Sequence, residues 1–281
     1  MIFNHRNAEL LNVIEVNEII DEGITFPVRC RLSEEIDAVV KYPKNPAGLS
    51  VLINEWVGNL IADAIGLTIP QYGLCFLSKE VIEATNCNEE IDSDNSGVCF
   101  YSKLINNTAP ATRRILMAAK NKETERIILF DHLVDNKDRH DGNLIYKVSK
   151  DRTVYLIDCS HIVVPYRKTL GQPLDLDVEL SDEMILNDSM LTEENNIYDI
   201  LCETMGYKES VLYRESERIK KTITPDSLEY IQESIPSEWR VDIGAQRITD
   251  MFEVLNRRFM CIDEITEMIA KERRTRQWKK Y

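Results

Sequence analysis

The chain has 281 residues, 43% of them hydrophobic and 29% charged, which is material for one large domain or two lobes with separate cores rather than a disordered chain. Its formal net charge of −14 opposes nonspecific nucleic-acid binding, because a polyanion meets a repulsive field. The seven cysteines are odd in number and scattered without a C-x-x-C pair, so they predict reduced thiols in a cytoplasmic protein and not a zinc or redox centre. Met1 to Asn7 lack a cationic start followed by an apolar stretch, and no run approaches the roughly 18 apolar residues of a membrane helix. A soluble chain with no membrane partner is expected.

In chain order, Ile24–Leu32 and Asp37–Tyr42 are short and β-branched and predict a hairpin about the polar turn Ser33-Glu34-Glu35. Apolar residues from Leu52 to Ile65 recur at helical spacing, which predicts a helix from Ser50 to about Ile65 with Ser50 and Gly66 at its caps. Strands are expected over Tyr72–Leu77 and Val98–Tyr101, separated by a polar excursion from Asn86 to Gly97. The pattern changes near residue 105, which divides an α+β N-terminal lobe (1–104) from a mostly helical C-terminal lobe (105–281). Helices are predicted over Ile127–Val134, Ile197–Met205, Val211–Ile219 and the long run Ile243–Ala270, with one β interruption at 143–158.

That interruption carries the chemistry. Asn143–Val148 and Thr153–Asp158 are strand-like runs separated by the turn Ser149-Lys-Asp-Arg152. A symmetric hairpin with Lys150-Asp151 at its tip sets Asn143 opposite Asp158 and brings two oxygen ligands to one point. Asp138, five residues before Asn143 in a polar loop after a helix, reaches the same mouth from another direction. Mg²⁺ bound to a triphosphate asks for such a set, because it takes few hard oxygen ligands from protein and leaves the rest to phosphate and water. The transferred group also needs a separate carboxylate to position or deprotonate the incoming hydroxyl, and Asp138 suits that role. ATP and Mg²⁺ are therefore the expected cofactors.

In typical protein kinases a catalytic Asp is followed five residues later by a metal-binding Asn and, after a short hairpin, by a metal-binding Asp; Asp138, Asn143 and Asp158 reproduce that spacing. Arg139 and His140 follow the Asp instead of preceding it. The segment Asn136-Lys-Asp-Arg-His-Asp-Gly-Asn143 resembles the atypical kinases of the HipA-like and phosphoinositide-kinase type, whose loops read Asp-Arg-His-x-x-Asn and are followed by Ile-Asp-Phe. Ile157-Asp158-Cys159-Ser160 keeps the metal Asp of Ile-Asp-Phe-Gly but departs at its third and fourth positions. The resemblance implies that His140 orients the loop by hydrogen bonding, that Lys41 at the end of a strand contacts the nucleotide phosphates, and that Glu55 on the next helix pairs with Lys41. Gly23-Ile-Thr25-Phe-Pro27 resembles the nucleotide-covering turn of HipA-like proteins, which makes Thr25 a candidate nucleotide contact, although it is no G-x-G-x-x-G. Ile235-Pro-Ser-Glu-Trp239 before a long helix resembles the same family. The likeness runs from about Gly23 to Arg258 and is most specific over 135–158. It implies a bilobal protein-kinase-like fold, with a small β-rich N-lobe and a helical C-lobe, transferring phosphate to Ser or Thr of a protein substrate or of the chain itself.

Other readings stand beside it. An EF-hand is excluded because Lys137 and Arg139 occupy the third and fifth places counted from Asp135. His132, Asp138 and His140 could form the metal centre of a phosphohydrolase, although no H-E-x-x-H is present; His132 otherwise reads as a core helix histidine. Arg139 could pair with a neighbouring carboxylate, Lys41 could be an ordinary edge-strand lysine, and Cys159 could be core. A kinase-like module with weak catalysis, serving a regulatory protein partner, is the alternative from a different class. Between Thr169 and Tyr207 there are ten acidic residues and no Lys or Arg, whereas Lys271–Lys280 is basic. Both read most simply as solvated faces, or else the acidic stretch meets a basic partner or the basic tail.

Overall fold

Among the strands near the N-terminus, Val28–Leu32 buries every second residue, whereas Gly97–Lys103 is buried on both faces along its middle, and closing the sheet buries the inner faces together. The computed structural model describes residues 10–21, 25–85, 91–163, 176–187, 189–192 and 197–278. Five strands, β1 (Leu11–Ile19), β2 (Val28–Leu32), β3 (Ile36–Lys41), β4 (Tyr72–Leu77) and β5 (Gly97–Lys103), form a closed barrel in the order β1-β2-β3-β5-β4. The barrel shuts through a short parallel contact, Leu11 facing Cys75 and Asn12 facing Phe76. Val13, Val28, Cys30, Ala38, Val40 and Leu77 are among the residues filling its interior.

Strand β1 lies outside the expected hairpin. Its register with β2 shifts between Val13 and Glu15 and again between Val16 and Glu18, and such irregularities break the alternation that marks a strand in sequence. Strand β2 starts at Val28 rather than Ile24; Phe26 has φ of 42° and Pro27 cannot donate to a ladder, while Ile24 lies outside the described residues. The expected turn at Ser33–Glu35 is a single 3-10 turn with Glu34 and Glu35 in the left-handed region.

Helix α1 spans Ser50–Ala64 and is buried on nearly all sides. Gly66 closes it at φ 71°: its N–H donates to Asp63 O at 2.8 Å, and Leu67 N–H donates to Ala62 O at 2.9 Å, the paired bonds that satisfy a helix end and favour glycine. Leu49, not Ser50, holds the N-cap place, without a side-chain cap hydrogen bond, and Ser50 is the first helical residue. The apolar residues of α1 belong to the larger core shared with the C-terminal helices, not to the barrel interior.

Helix α2 (Lys79–Ala84) lies between β4 and β5, and past β5 come β6 (Thr108–Pro110), α3 (Arg113–Met117), α4 (Thr124–Leu133), β7 (Leu144–Lys147) and β8 (Val154–Leu156); β6, β7 and β8 make an antiparallel sheet in that order. The remainder is helical: α5 (Leu176–Glu179), α6 (Asp182–Ile185), α7 (Ser189–Thr192), α8 (Ile197–Thr204), α9 (Glu209–Thr222), α10 (Pro225–Ser234), α11 (Ser237–Ile243), α12 (Ala245–Met260) and α13 (Ile262–Trp278). The run read as one helix from Ile243 to Ala270 is broken twice, at Gly244 with φ 89° and at Cys261 with φ −91° and ψ 20°. Trp239 anchors this part to the barrel by donating its Nε1–H to Val98 O at 2.9 Å, and Trp56 of α1 donates to Ser234 Oγ at 2.9 Å. The acidic stretch meets arginines of the last two helices: Asp199 accepts from Arg273 and Arg276, and Asp182 from Arg257 at 2.9 Å. Positions 169–175, 188, 193–196 and 279–281 lie outside the described residues. Among the described residues no helix is long and apolar enough to cross a membrane.

Helix α4 is buried along almost its whole length. His132 within it bonds Ile128 O through Nδ1 at 2.8 Å, and its Nε2 has no hydrogen-bond partner among the described residues. Burial, helped by Arg258 and Arg273 and opposed by the Ile128 carbonyl and Asp131, brings its pKa down to about 4 from 6.5. The folded chain therefore keeps His132 neutral where the unfolded chain protonates it, so stability is full above the unfolded pKa of 6.5 and is lost as pH falls toward 4. His132 is expected to cost about 2 kcal/mol of stability between pH 7.5 and 5. Urea midpoints of wild type and His132→Phe at both pH values test this: the substitution should flatten the pH dependence, and equal slopes would contradict it.

Candidate active site

The loop leaving α4 is fixed by a charge that the helix carries into the core. Asp131 is fully buried and accepts hydrogen bonds from Arg139 Nε at 3.0 Å and Nη2 at 2.9 Å, Asn136 Nδ2 at 2.9 Å and Tyr198 OH at 3.1 Å. The other arm of Arg139 donates to Ile157 O at 2.8 Å, so one guanidinium joins α4, the loop and the end of β8. Burial works against its charge, but Asp131 outweighs burial and raises the Arg139 pKa. Arg139 thus pairs with a neighbouring carboxylate. Arg258 of α12 adds bonds from Nε and Nη2 to His132 O at 3.0 and 2.6 Å, holding the helix end from which the loop departs.

On this frame Asp138 stands half exposed, its Oδ2 3.5 Å from His161 Nδ1. Its N–H donates to Asn136 Oδ1 at 3.2 Å, and its carbonyl accepts from Asn143 Nδ2 at 2.7 Å. Committing the Asn143 amide nitrogen in this way leaves its Oδ1 as the atom able to meet a cation. His140 is exposed and accepts the Gly142 N–H through Nδ1 at 3.0 Å, a bond internal to the loop. A Cβ on Gly142 would lie 2.7 Å from the imidazole.

The hairpin differs from expectation by one residue. Leu144 faces Leu156 and Tyr146 faces Val154, and Ile157 N–H donates to Asn143 O at 3.1 Å, so Asn143 lies opposite Ile157 and not Asp158. Arg152, at φ 48°, shifts the tip, and a one-residue shift reverses the face of every side chain. Asp158 escapes that reversal because it leaves the strand in the left-handed region, at φ 61°, a conformation Asp tolerates better than most residues.

Lys41 ends β3 with its ammonium among oxygens: Glu55 Oε1 at 2.5 Å, Ser160 Oγ at 2.7 Å and Asp158 Oδ1 at 3.2 Å. Ser160 Oγ donates in turn to Glu55 Oε1 at 2.8 Å, and Ser160 N–H donates to Asp158 Oδ1 at 3.0 Å. Asn59 Nδ2 donates to Glu55 Oε2 at 3.1 Å. Burial opposes the Lys41 charge, but Glu55 and Asp158 outweigh it and raise the pKa. Burial likewise opposes ionised Asp158, while Lys41 and the Ser160 N–H hold that carboxyl well below its usual range. Glu55 is raised by burial, with Lys41 offsetting part of the effect and Asp158 adding to it.

Not every candidate joins this cluster. Thr25 lies buried in the turn between β1 and β2, and among the described residues none of the cluster's hydrogen bonds reaches it. The phosphohydrolase set is dispersed, with His132 inside α4, His140 at the surface, and no three His, Cys, Asp or Glu side chains placed to hold a metal among the described residues. Asp131, Ser160, Asn59 and His161, to which motif spacing assigns no role, also bond within the site. Their signal was present in part: a polar residue inside an apolar helix, such as Asp131 or Asn59, needs a buried partner.

The barrel, the helical part and the Lys41–Glu55–Asp158 cluster beside the Asp138 loop define a kinase-like phosphotransferase of bilobal α+β architecture. The chain belongs to the HipA-like kinase family, whose model matches residues 13–162, more than half of its length. It is similar to the Helicobacter pylori proinflammatory kinase CtkA at 13% identity with a TM-score of 0.58, covering 94% of this chain and 99% of that one, a likeness of fold. A Golgi casein kinase matches at 13% identity with a TM-score of 0.48, over 95% of this chain and 74% of the other. Comparison with curated proteins gave no match.

Gly58 of α1 is where the segment after Asp158 comes closest to the helix: a Cβ there would lie 2.5 Å from Cys159 Cβ and 2.9 Å from its Sγ. Gly58→Ala is expected to push Cys159 away and to destabilise the fold by about 1–3 kcal/mol, read as a lowered urea midpoint. An unchanged midpoint would show that the contact is slack.

Proposed function

We propose that this chain is an ATP- and Mg²⁺-dependent kinase that binds nucleotide between a lobe of residues 1–104 and a lobe of residues 105–281. It transfers the terminal phosphoryl group to a Ser or Thr hydroxyl of a protein substrate, or to its own. The observation that carries this reading is the convergence of Lys41, Glu55 and Asp158, drawn from β3, α1 and the end of the β7–β8 hairpin. Lys41 holds the phosphates, and Glu55 fixes Lys41. Asp158 and Asn143 suit Mg²⁺: one is a carboxylate kept ionised and partly open to solvent, the other an amide with its nitrogen already engaged. When bound, the ion neutralises charge on the phosphates.

Asp138 is the half-exposed carboxylate beside that pair. It accepts the proton of the incoming hydroxyl as the hydroxyl oxygen bonds to the γ-phosphorus and the bond to the β-phosphate oxygen breaks, releasing ADP. His140 caps the loop bearing Asp138 and Asn143, and Thr25, in the turn between β1 and β2, is proposed as a nucleotide contact on the strength of the family resemblance of that turn alone. Cys75, Cys99, Cys159, Cys202 and Cys261 form no disulfide, which supports a reducing, cytoplasmic setting. A regulatory protein partner is the second reading, favoured by the departure from Ile-Asp-Phe-Gly at Cys159-Ser160.

Calorimetry with MgATP followed by a radiolabelled-phosphate assay separates the two. Wild type should bind and transfer. Asp138→Ala should keep binding and lose transfer by about 10²–10⁴-fold, and Asp158→Ala should lose both transfer and metal-dependent binding. Tight binding without transfer would favour the regulatory module, and no nucleotide binding would overturn the kinase assignment.

A further inference from the structure

An ammonium group has three protons to donate, and Lys41 has given all three away: to Glu55 Oε1, to Ser160 Oγ and to Asp158 Oδ1. For Lys41 to hold a phosphate, one of these bonds must be released. The bond to Asp158 is the longest of the three at 3.2 Å, and the Asp158 side chain is 36% exposed against 3% for Glu55, so it is the one that nucleotide can exchange. After that exchange Lys41 keeps two anchors. One is Glu55. The other is Ser160, whose position is set independently: Oγ donates to Glu55 Oε1, Asn54 Nδ2 donates to Ser160 O at 2.6 Å, and the preceding Cys159 N–H reaches Glu55 Oε1 at 3.3 Å.

From this proton count we infer that Ser160 is a positioning residue for phosphate binding, holding the Lys41 ammonium in place once Asp158 has let it go. A lysine on a four-carbon stem tied at a single point retains considerable rotamer freedom, and every bond to phosphate must offset that freedom. The hydroxyl of Ser160 removes it in advance by closing a triangle with Lys41 and Glu55. The same hydroxyl supplies one of the donors to Glu55 Oε1, so its loss loosens both members of the pair. This role rests on the kinase reading of the site.

The test is calorimetry of MgATP and of adenosine, which lacks phosphates, with wild type, Ser160→Ala and Ser160→Cys. Removing one hydrogen bond to a charged group is expected to weaken MgATP about tenfold in Ser160→Ala and to leave adenosine within about twofold. Ser160→Cys, similar in size but a poorer donor and acceptor, should fall between and keeps the test intact if the alanine variant fails to fold. In steady state the KM for MgATP should rise more than kcat falls. Wild-type MgATP affinity in Ser160→Ala would overturn this role alone, and so would equal weakening of MgATP and adenosine, which a merely structural residue produces. Wild type that binds adenosine and MgATP alike, or neither, would overturn the kinase reading beneath it.

Discussion

Lys41 carries its ammonium to a place where a tenth of the side chain meets water, and a charge so placed persists only among groups that offset its lost hydration. The groups that do so come from different stretches of chain. Glu55 is on α1 and packs with the helical core, Asp158 and Ser160 end the β7–β8 hairpin, and Lys41 itself belongs to the barrel. Satisfying one buried cation therefore fixes the relative positions of three elements. The narrowness of the join is visible at Gly58, where α1 and Cys159 approach too closely for any side chain but hydrogen.

A second buried pair, Asp131 with Arg139, performs the same task for the loop of Asp138 and Asn143. Pairs of this kind add little net stability relative to apolar packing, but losing one partner costs about 3–5 kcal/mol because the other is stranded. Their value is geometric. Arg139 ties the loop to the Ile157 carbonyl, one residue before Asp158, so the two buried pairs meet at the end of β8. The loop and the Lys41 cluster are thereby held in one frame, a requirement for positioning chemistry, where errors of an ångström are costly.

Periodic features were legible in the sequence. Helix α1 and strand β4 lie where apolar spacing placed them, since burial of one face is a local property that spacing reports. Features depending on single backbone torsions were not. The hairpin was foreseen but its register was not, because Arg152 and Asp158 adopt positive φ and no pattern of side-chain types announces that. Bulges hid β1, and the break at Cys261 interrupts an apolar run that continues on both sides. At the site, Lys41, Glu55 and Asp158 were found through spacing and resemblance. Ser160 and Asp131 were missed because their importance lies in hydrogen bonds that exist only after folding.

On the proposed function, Lys41 exchanges the Asp158 carboxylate for a phosphate while its bonds to Glu55 and Ser160 persist. A crystal structure with Mg²⁺ and a non-hydrolysable ATP analogue tests it most directly. Lys41 Nζ is expected to bond a phosphate oxygen, Glu55 and Ser160, with Asp158 turned away to the ion alongside Asn143. Nucleotide bound while Lys41 still holds Asp158, or bound away from Asn143 and Asp158, would contradict it.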